Sequence, residues 1–178
     1  PVDIAAAIAS GTQTRFKMGG MEITNFTGSG GVANGRMGKF SLSGIDVPFG
    51  KDVSPLAAYD SPMDVEVADV SVSVGGAEVF SMARTQTAIR KTSNGGSIVQ
   101  DSLIEDIRAD LTKIPDPRAQ AVLGQLGYDT LEMNMTSKGS YTPSSGVAAL
   151  DSMTMKFKDM LDLDMSLGLS GYTEELLK

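Results

Sequence analysis

The sequence predicts a mainly β domain, leaning to α+β, in which a curved antiparallel meander of kinked strands carries one packed helix near residues 117–126. Three observations predict it. Apolar residues recur with a period of two over most of the chain, that alternation slips by one residue at recurring places, and the segments between are rich in Gly. Phe16 and Met18 alternate, Gly19-Gly20 shifts the phase, and Met21 and Ile23 resume. Phe40 and Leu42 do the same, with Ser43-Gly44 as the step before Ile45 and Val47. Val65 and Val67 repeat it, with Ala68-Asp69 as the step before Val70, Val72 and Val74. The starts at 16, 40 and 65 are 24 and 25 residues apart, the mark of an internal repeat. An extra residue inside an alternating strand either forms a β-bulge or turns the chain over between two short strands. Each unit should therefore bend. A curved sheet with one apolar face has to cover that face with a second sheet, a helix, a partner or a ligand, and a two-sheet sandwich is the default.

The remaining elements follow in order. Asp3 to Ser10 is Ala-rich, with Asp3 to cap it and Gly11 to end it, which gives a marginal helix over 1–11. Gly28-Ser29-Gly30-Gly31 reads as a loop. Val79 to Arg90 and Ser97 to Lys113 form two long strands joined by Ser93-Asn94-Gly95-Gly96, since Asn-Gly is a strong hairpin signal. In the second arm Val99, Leu103, Ile107 and Leu111 fall at helical spacing, but the alternation of Ile107, Ala109 and Leu111 favours strand. After Pro115-Asp116-Pro117, the residues Ala119, Val122, Leu123 and Leu126 fit a helix closed by Gly127. Leu131, Met133 and Met135 alternate, Gly139 to Gly146 reads as a loop, and Met153, Met155 and Phe157 alternate again. Leu161, Leu163, Met165, Leu167 and Leu169 complete a strand with an unbroken apolar side. Thr173 caps the start of a helix that stops at Lys178. The chain of 178 residues reads as a single domain over 1–178, and its ends suggest a fragment of a longer protein.

Composition excludes several classes of function. Net charge is −7 with a pI near 4.5, and the basic residues are scattered, so nucleic acid is not an expected partner. There is no Cys and no His, which removes thiol nucleophiles, thiolate metal sites and the usual general base. No run reaches the length of a membrane span, no phosphate loop occurs, and the acidic groups lack the spacing of a calcium loop. Strand alternation sends Asp162 and Asp164 to the side opposite Leu163 and Met165, where water accounts for them. No catalytic residue, metal or cofactor is expected, and the chain reads as no enzyme.

Eleven methionines against six Phe and no Trp is the oddest feature of the composition. Met adapts to irregular apolar partners, so the choice is between a pliable binding surface and a loosely specified core. The candidate ligand-facing or core residues are Phe40, Leu42, Val65, Val67, Met133, Met155, Leu163 and Met165. On that reading a charge placed at Leu163 should cost several kcal/mol, as an unpaired buried charge does.

The repeated strand template, the run Leu126-Gly127-Tyr128-Asp129-Thr130-Leu131-Glu132-Met133 after a helix, and phrases such as Lys39-Phe40-Ser41-Leu42-Ser43-Gly44-Ile45-Asp46-Val47 and Phe157-Lys158-Asp159-Met160-Leu161-Asp162-Leu163 carry a resemblance. Over residues 15–50 and 126–170 the chain resembles the AsmA-like and YdgA-like envelope proteins of Gram-negative bacteria. The resemblance implies a periplasmic or cell-envelope location and a long β-groove that shelters lipid. It carries over no functional residue, and the membrane segment that tethers such proteins is missing from this chain. Three uses then compete: a non-catalytic domain that binds lipid or another apolar ligand in a sheet groove, a structural or self-assembly module whose strands pair with itself or with envelope proteins, and a hydrolase working through carboxylates.

Overall fold

The computed structural model describes residues 14–49, 53–92, 96–113, 125 and 127–171. The helices expected at 1–11 and 173–178 lie outside the described residues, as does the tip of the Ser93–Gly96 turn. So does the helix near 117–126, apart from Gln125, which is helical.

Eight antiparallel strands form one sheet in chain order: β1 (Thr14–Gly30), β2 (Ala33–Phe49), β3 (Met63–Val74), β4 (Ala77–Lys91), β5 (Ile98–Asp110), β6 (Thr130–Thr142), β7 (Val147–Phe157) and β8 (Asp162–Leu169). Two 3₁₀ turns interrupt it, η1 (Pro55–Tyr59) between β2 and β3 and η2 (Leu111–Lys113) after β5. The mainly β meander is as the alternation predicts. The two-sheet sandwich is not: all eight strands lie in a single sheet. The cause is local. Gly31-Val32 and Gly75-Gly76 are two-residue connections, and Gly75 and Gly76 both take positive φ (61° and 84°), as the turn that matches strand twist requires. These turns pair β1 with β2 and β3 with β4, and the longer connections also return each strand beside its sequence neighbour. The two tips are also tied to each other, since Gly75 N–H donates to the Val32 carbonyl at 3.0 Å.

Three loop and strand bounds differ from expectation. Gly28, Ser29 and Gly30 belong to β1, paired with Gly35, Asn34 and Ala33, because an antiparallel ladder tolerates Gly next to a tight turn. Gly139 to Thr142 belong to β6, so the expected loop shrinks to residues 143–146. The strand expected to reach Lys113 ends at Asp110, where the Asp110 carboxylate accepts from the Thr112 backbone N–H at 3.0 Å and turns the chain into η2.

The one-residue steps bend long strands rather than dividing them. The template is palindromic, so its first two copies match residue for residue across the β1–β2 ladder: Phe16 opposite Val47, Met18 opposite Ile45, Met21 opposite Leu42, Ile23 opposite Phe40. Gly44 takes φ +74° at this step. The third copy steps elsewhere, on a line that crosses β1 to β5. There Asn25, Asp69 and Asp106 all have positive φ (55°, 54° and 52°) on alternate strands. Gly38 lies across from Asp69 on β2, and a Cβ there would stand 2.6 Å from the Asp69 Cβ. The apolar residues either side of this line are three apart on β3 and β5 (Val67 and Val70, Ile104 and Ile107) but two apart on β6 (Met133 and Met135). The register accordingly shifts between Ile104 and Ile107. The extra residue thus keeps one side of the sheet apolar through the bend.

The two sides differ chemically. One carries ion pairs that bridge neighbouring strands, Lys39 to Glu66 at 2.8 Å, Arg84 to Glu105 at 2.8 Å and Arg90 to Asp64 at 3.1 Å, and Lys158 in the turn after β7 reaches Glu132 on β6 at 2.6 Å. The other carries the apolar residues. Little of it is sealed from water: among the described residues Ile98 and Leu111 are the buried large apolar side chains, and no side chain is fully enclosed.

Candidate functional site

The apolar side is built as transverse rows, because residues directly opposite in an antiparallel ladder project from the same side. One row runs Ile23, Phe40, Val67, Thr85, Ile104, Met135, Met155, Leu163. The next runs Met21, Leu42, Val65, Thr87, Ser102, Ser137, Met153, Met165. Beyond the bend, Ile107, Met133 and Phe157 align, as do Met37, Val70 and Met82. The eight candidate residues therefore fall on three adjacent rows. They form two groups. Phe40 packs opposite Val67 and Leu42 opposite Val65 on β2 and β3. Met155 packs opposite Leu163, with Met133 and Met165 nearby, on β6 to β8.

Between the groups the second row turns polar. Thr87 and Ser102 share a hydrogen bond at 3.1 Å, which satisfies two hydroxyls that would otherwise face apolar neighbours. Period counting did not single out this hydroxyl strip, since Thr alternates with apolar residues as well as Val does.

Elements outside the alternation supply an apolar pocket. Ser54 accepts from the Leu56 N–H at 3.2 Å, Pro55 follows as the first residue of η1, and the turn sets Leu56 and Tyr59 over one end of the apolar side. Beneath them lie Ile89, Ile98, Tyr141 and Ala148, around a space of about 420 Å³. Ile98 and Tyr141 are direct cross-strand partners, and Ala148 pairs with Tyr141. The visible signal for this pocket was Ser54-Pro55, a helix-start pair between two strands.

The connection that carries η1 is anchored from the polar side. Asp46, 9% exposed, accepts from Arg15 Nε at 2.8 Å and from the Ser61 hydroxyl at 3.1 Å, with Lys17 Nζ at 3.2 Å. The hydrogen bond from Arg15 holds the Asp46 carboxyl below the usual carboxylate range, against the opposing effect of burial, and Lys17 and Ser61 assist. Lys39 does the same for Glu66, and Lys158 for Glu132. Each of these carboxylates is held ionised by a neighbour, which suits a structural tie and not a proton donor near neutral pH.

A second groove of about 950 Å³ opens on the polar side along the bend, lined by Arg36, Ser71, Ser81, Arg108, Glu132 and Lys158 among others. Among the described residues no group of three or more acidic side chains is close enough to hold a metal ion, and no helix is long and apolar enough to cross a membrane. Asp164 instead accepts from the Thr154 hydroxyl at 2.6 Å, and Asp162 lies opposite Lys156. No protein-family model, curated protein or solved structure matches this chain.

Proposed function

We propose that the chain is a non-catalytic binding domain of the bacterial cell envelope, working in the periplasm, whose apolar sheet face takes the acyl chains of a lipid. One observation carries the reading. A face of aligned Val, Ile, Met and Phe has no second layer among the described residues, and its covered end holds a 420 Å³ apolar pocket under Leu56 and Tyr59. That volume lies within the range of small-molecule sites, roughly 300 to 1,000 Å³. A flexible acyl chain suits a face rich in Met, whose side chains repack around irregular apolar partners. The Thr87 and Ser102 hydroxyls give a place for the less apolar part of such a ligand. The resemblance to AsmA-like and YdgA-like proteins is what supports the envelope location.

The test is native mass spectrometry of the chain purified without detergent, followed by organic extraction and lipid analysis of the same sample. A stoichiometric lipid that is lost on filling the pocket with Ala148→Phe supports the proposal. A ligand-free protein that takes up no added phospholipid overturns it.

A further inference from the structure

We propose that the sheet continues from one molecule to the next, with β8 of one chain pairing antiparallel with β1 of a second copy. The inference stands apart from the lipid reading. It rests on the two edges.

Among the described residues β1 and β8 each have a single hydrogen-bonded neighbour, so one side of each strand has backbone donors and acceptors with no strand partner there. Eight of the twelve large apolar side chains that stand exposed among the described residues lie on these two strands: Phe16, Met21, Ile23 and Phe26 on β1, and Leu163, Met165, Leu167 and Leu169 on β8. Neither strand contains a Pro, and neither turns a charge onto the apolar side, the devices that blunt an edge. An antiparallel meander with an even number of strands has edge strands that run in opposite directions. A copy displaced sideways therefore sets its β1 antiparallel to β8 with both apolar faces on the same side.

Charge and side-chain pattern narrow the register to those that set an acid of β8 beside a base of β1 with both apolar sides together. The polar side of β8 is acidic at Asp162 and Asp164, while that of β1 is basic at Arg15 and Lys17. Placing Asp164 opposite Lys17 of the second copy also sets Leu163 opposite Met18 and Met165 opposite Phe16. This register gives two apolar pairs and one acid–base pair, pairings that stabilise a ladder, with Asp162 opposite Gly19 and Arg15 opposite Ser166. Lys17 reaches Asp46 at 3.2 Å yet its side chain is 68% exposed, and Asp164 accepts from the Thr154 hydroxyl through one carboxylate oxygen, so both retain capacity for a partner. The contact uses a different surface on each molecule, so it repeats head to tail into rows of sheets instead of closing as a two-fold dimer.

Sedimentation and light scattering of the 178-residue chain over a wide concentration range give the first readout. The mass is expected to grow beyond the single-chain 18.6 kDa, and Met165→Lys is expected to weaken the association at least tenfold while the circular dichroism spectrum stays unchanged. The chain has no Cys, so the pair Met18→Cys and Leu163→Cys reports the contact without background. The two edges are seven strand spacings apart, roughly 33 Å across the sheet, too far for a disulfide within one chain. Cross-linked dimers and higher multiples under mild oxidation support the proposal. A chain that stays monomeric throughout overturns it. So does a disulfide inside one chain, which would mean that the sheet closes on itself. Association that persists in Met165→Lys and yields no cross-link overturns the β8 to β1 pairing.

Discussion

The backbone N–H of Asp106 on β5 donates to the side-chain Oδ1 of Asn134 on β6 at 2.8 Å, where the extra residue that crosses β1 to β5 comes to its end. Asp106 has φ 52°, so its amide has swung out of the regular ladder, and the Asn134 side chain supplies an acceptor in place of a backbone carbonyl. The register shift between Ile104 and Ile107 sits at this point.

Removing that acceptor should loosen the bend. Asn134→Ala is expected to cost about 1 kcal/mol, the net worth of one hydrogen bond, in urea denaturation. Asn134→Gln, with its carbonyl a methylene farther out, should recover little of it.

Gly44 and Gly19 lie on the same line of the first bend and should respond in opposite ways. At Gly44, with φ +74°, a Cβ would overlap the Pro62 carbonyl oxygen, whereas nothing lies within 4 Å of a Cβ at Gly19. Gly44→Ala is expected to destabilise by more than about 1 kcal/mol. Gly19→Ala should change stability by less than about 0.5 kcal/mol, as an open surface site does. Equal effects would mean that the close approach of the β2 backbone to Pro62 does not exist.

Acid should weaken the fold through its carboxylate ties. Asp46, Glu66 and Glu132 are all held below their ordinary range by a cationic neighbour. A group whose folded value is lowered adds stability above the unfolded value and loses it as pH falls through the folded one. The melting temperature should therefore hold from neutral pH down to roughly pH 4 and fall below it. Asp46→Asn should lower the neutral plateau and flatten the acid fall, because Arg15, Lys17 and Ser61 all converge on this carboxylate. A thermal unfolding series between pH 2 and 7 reads both effects.

Leu163 and Ile98 share an apolar character and differ in what covers them. Leu163 is 38% exposed on an edge strand, while Ile98 is 8% exposed under η1. The several kcal/mol expected of a charge at Leu163 from alternation alone assume a covered face, and here the side chain keeps access to water. Leu163→Asp should cost the folded chain no more than about 1 kcal/mol. Ile98→Ala should cost about 2 to 4 kcal/mol by the same denaturant titration.

Alternation and hairpin signals were enough to specify a mainly β antiparallel meander and which residues within a strand share a side. Those are local properties: period two sets the side, and a two-residue turn such as Gly75-Gly76 pairs a strand with its neighbour. Phe40 and Val67 could therefore be grouped before their ladder was known, and the ladder sets them directly opposite. The third template copy shows the limit of such reading. Its step at Asp69 resembles that at Gly44 in sequence, yet belongs to another line across the sheet, because strand stagger decides which steps align. Tertiary structure alone decided that the eight strands stay in one sheet, that η1 brings Leu56 and Tyr59 over Ile98, and that Arg15, Asp46 and Ser61 meet. Each of these joins residues from separate elements. Alternation says which side of a strand is apolar, but what comes to rest on that side depends on where the connections lead, and no period along the chain records it.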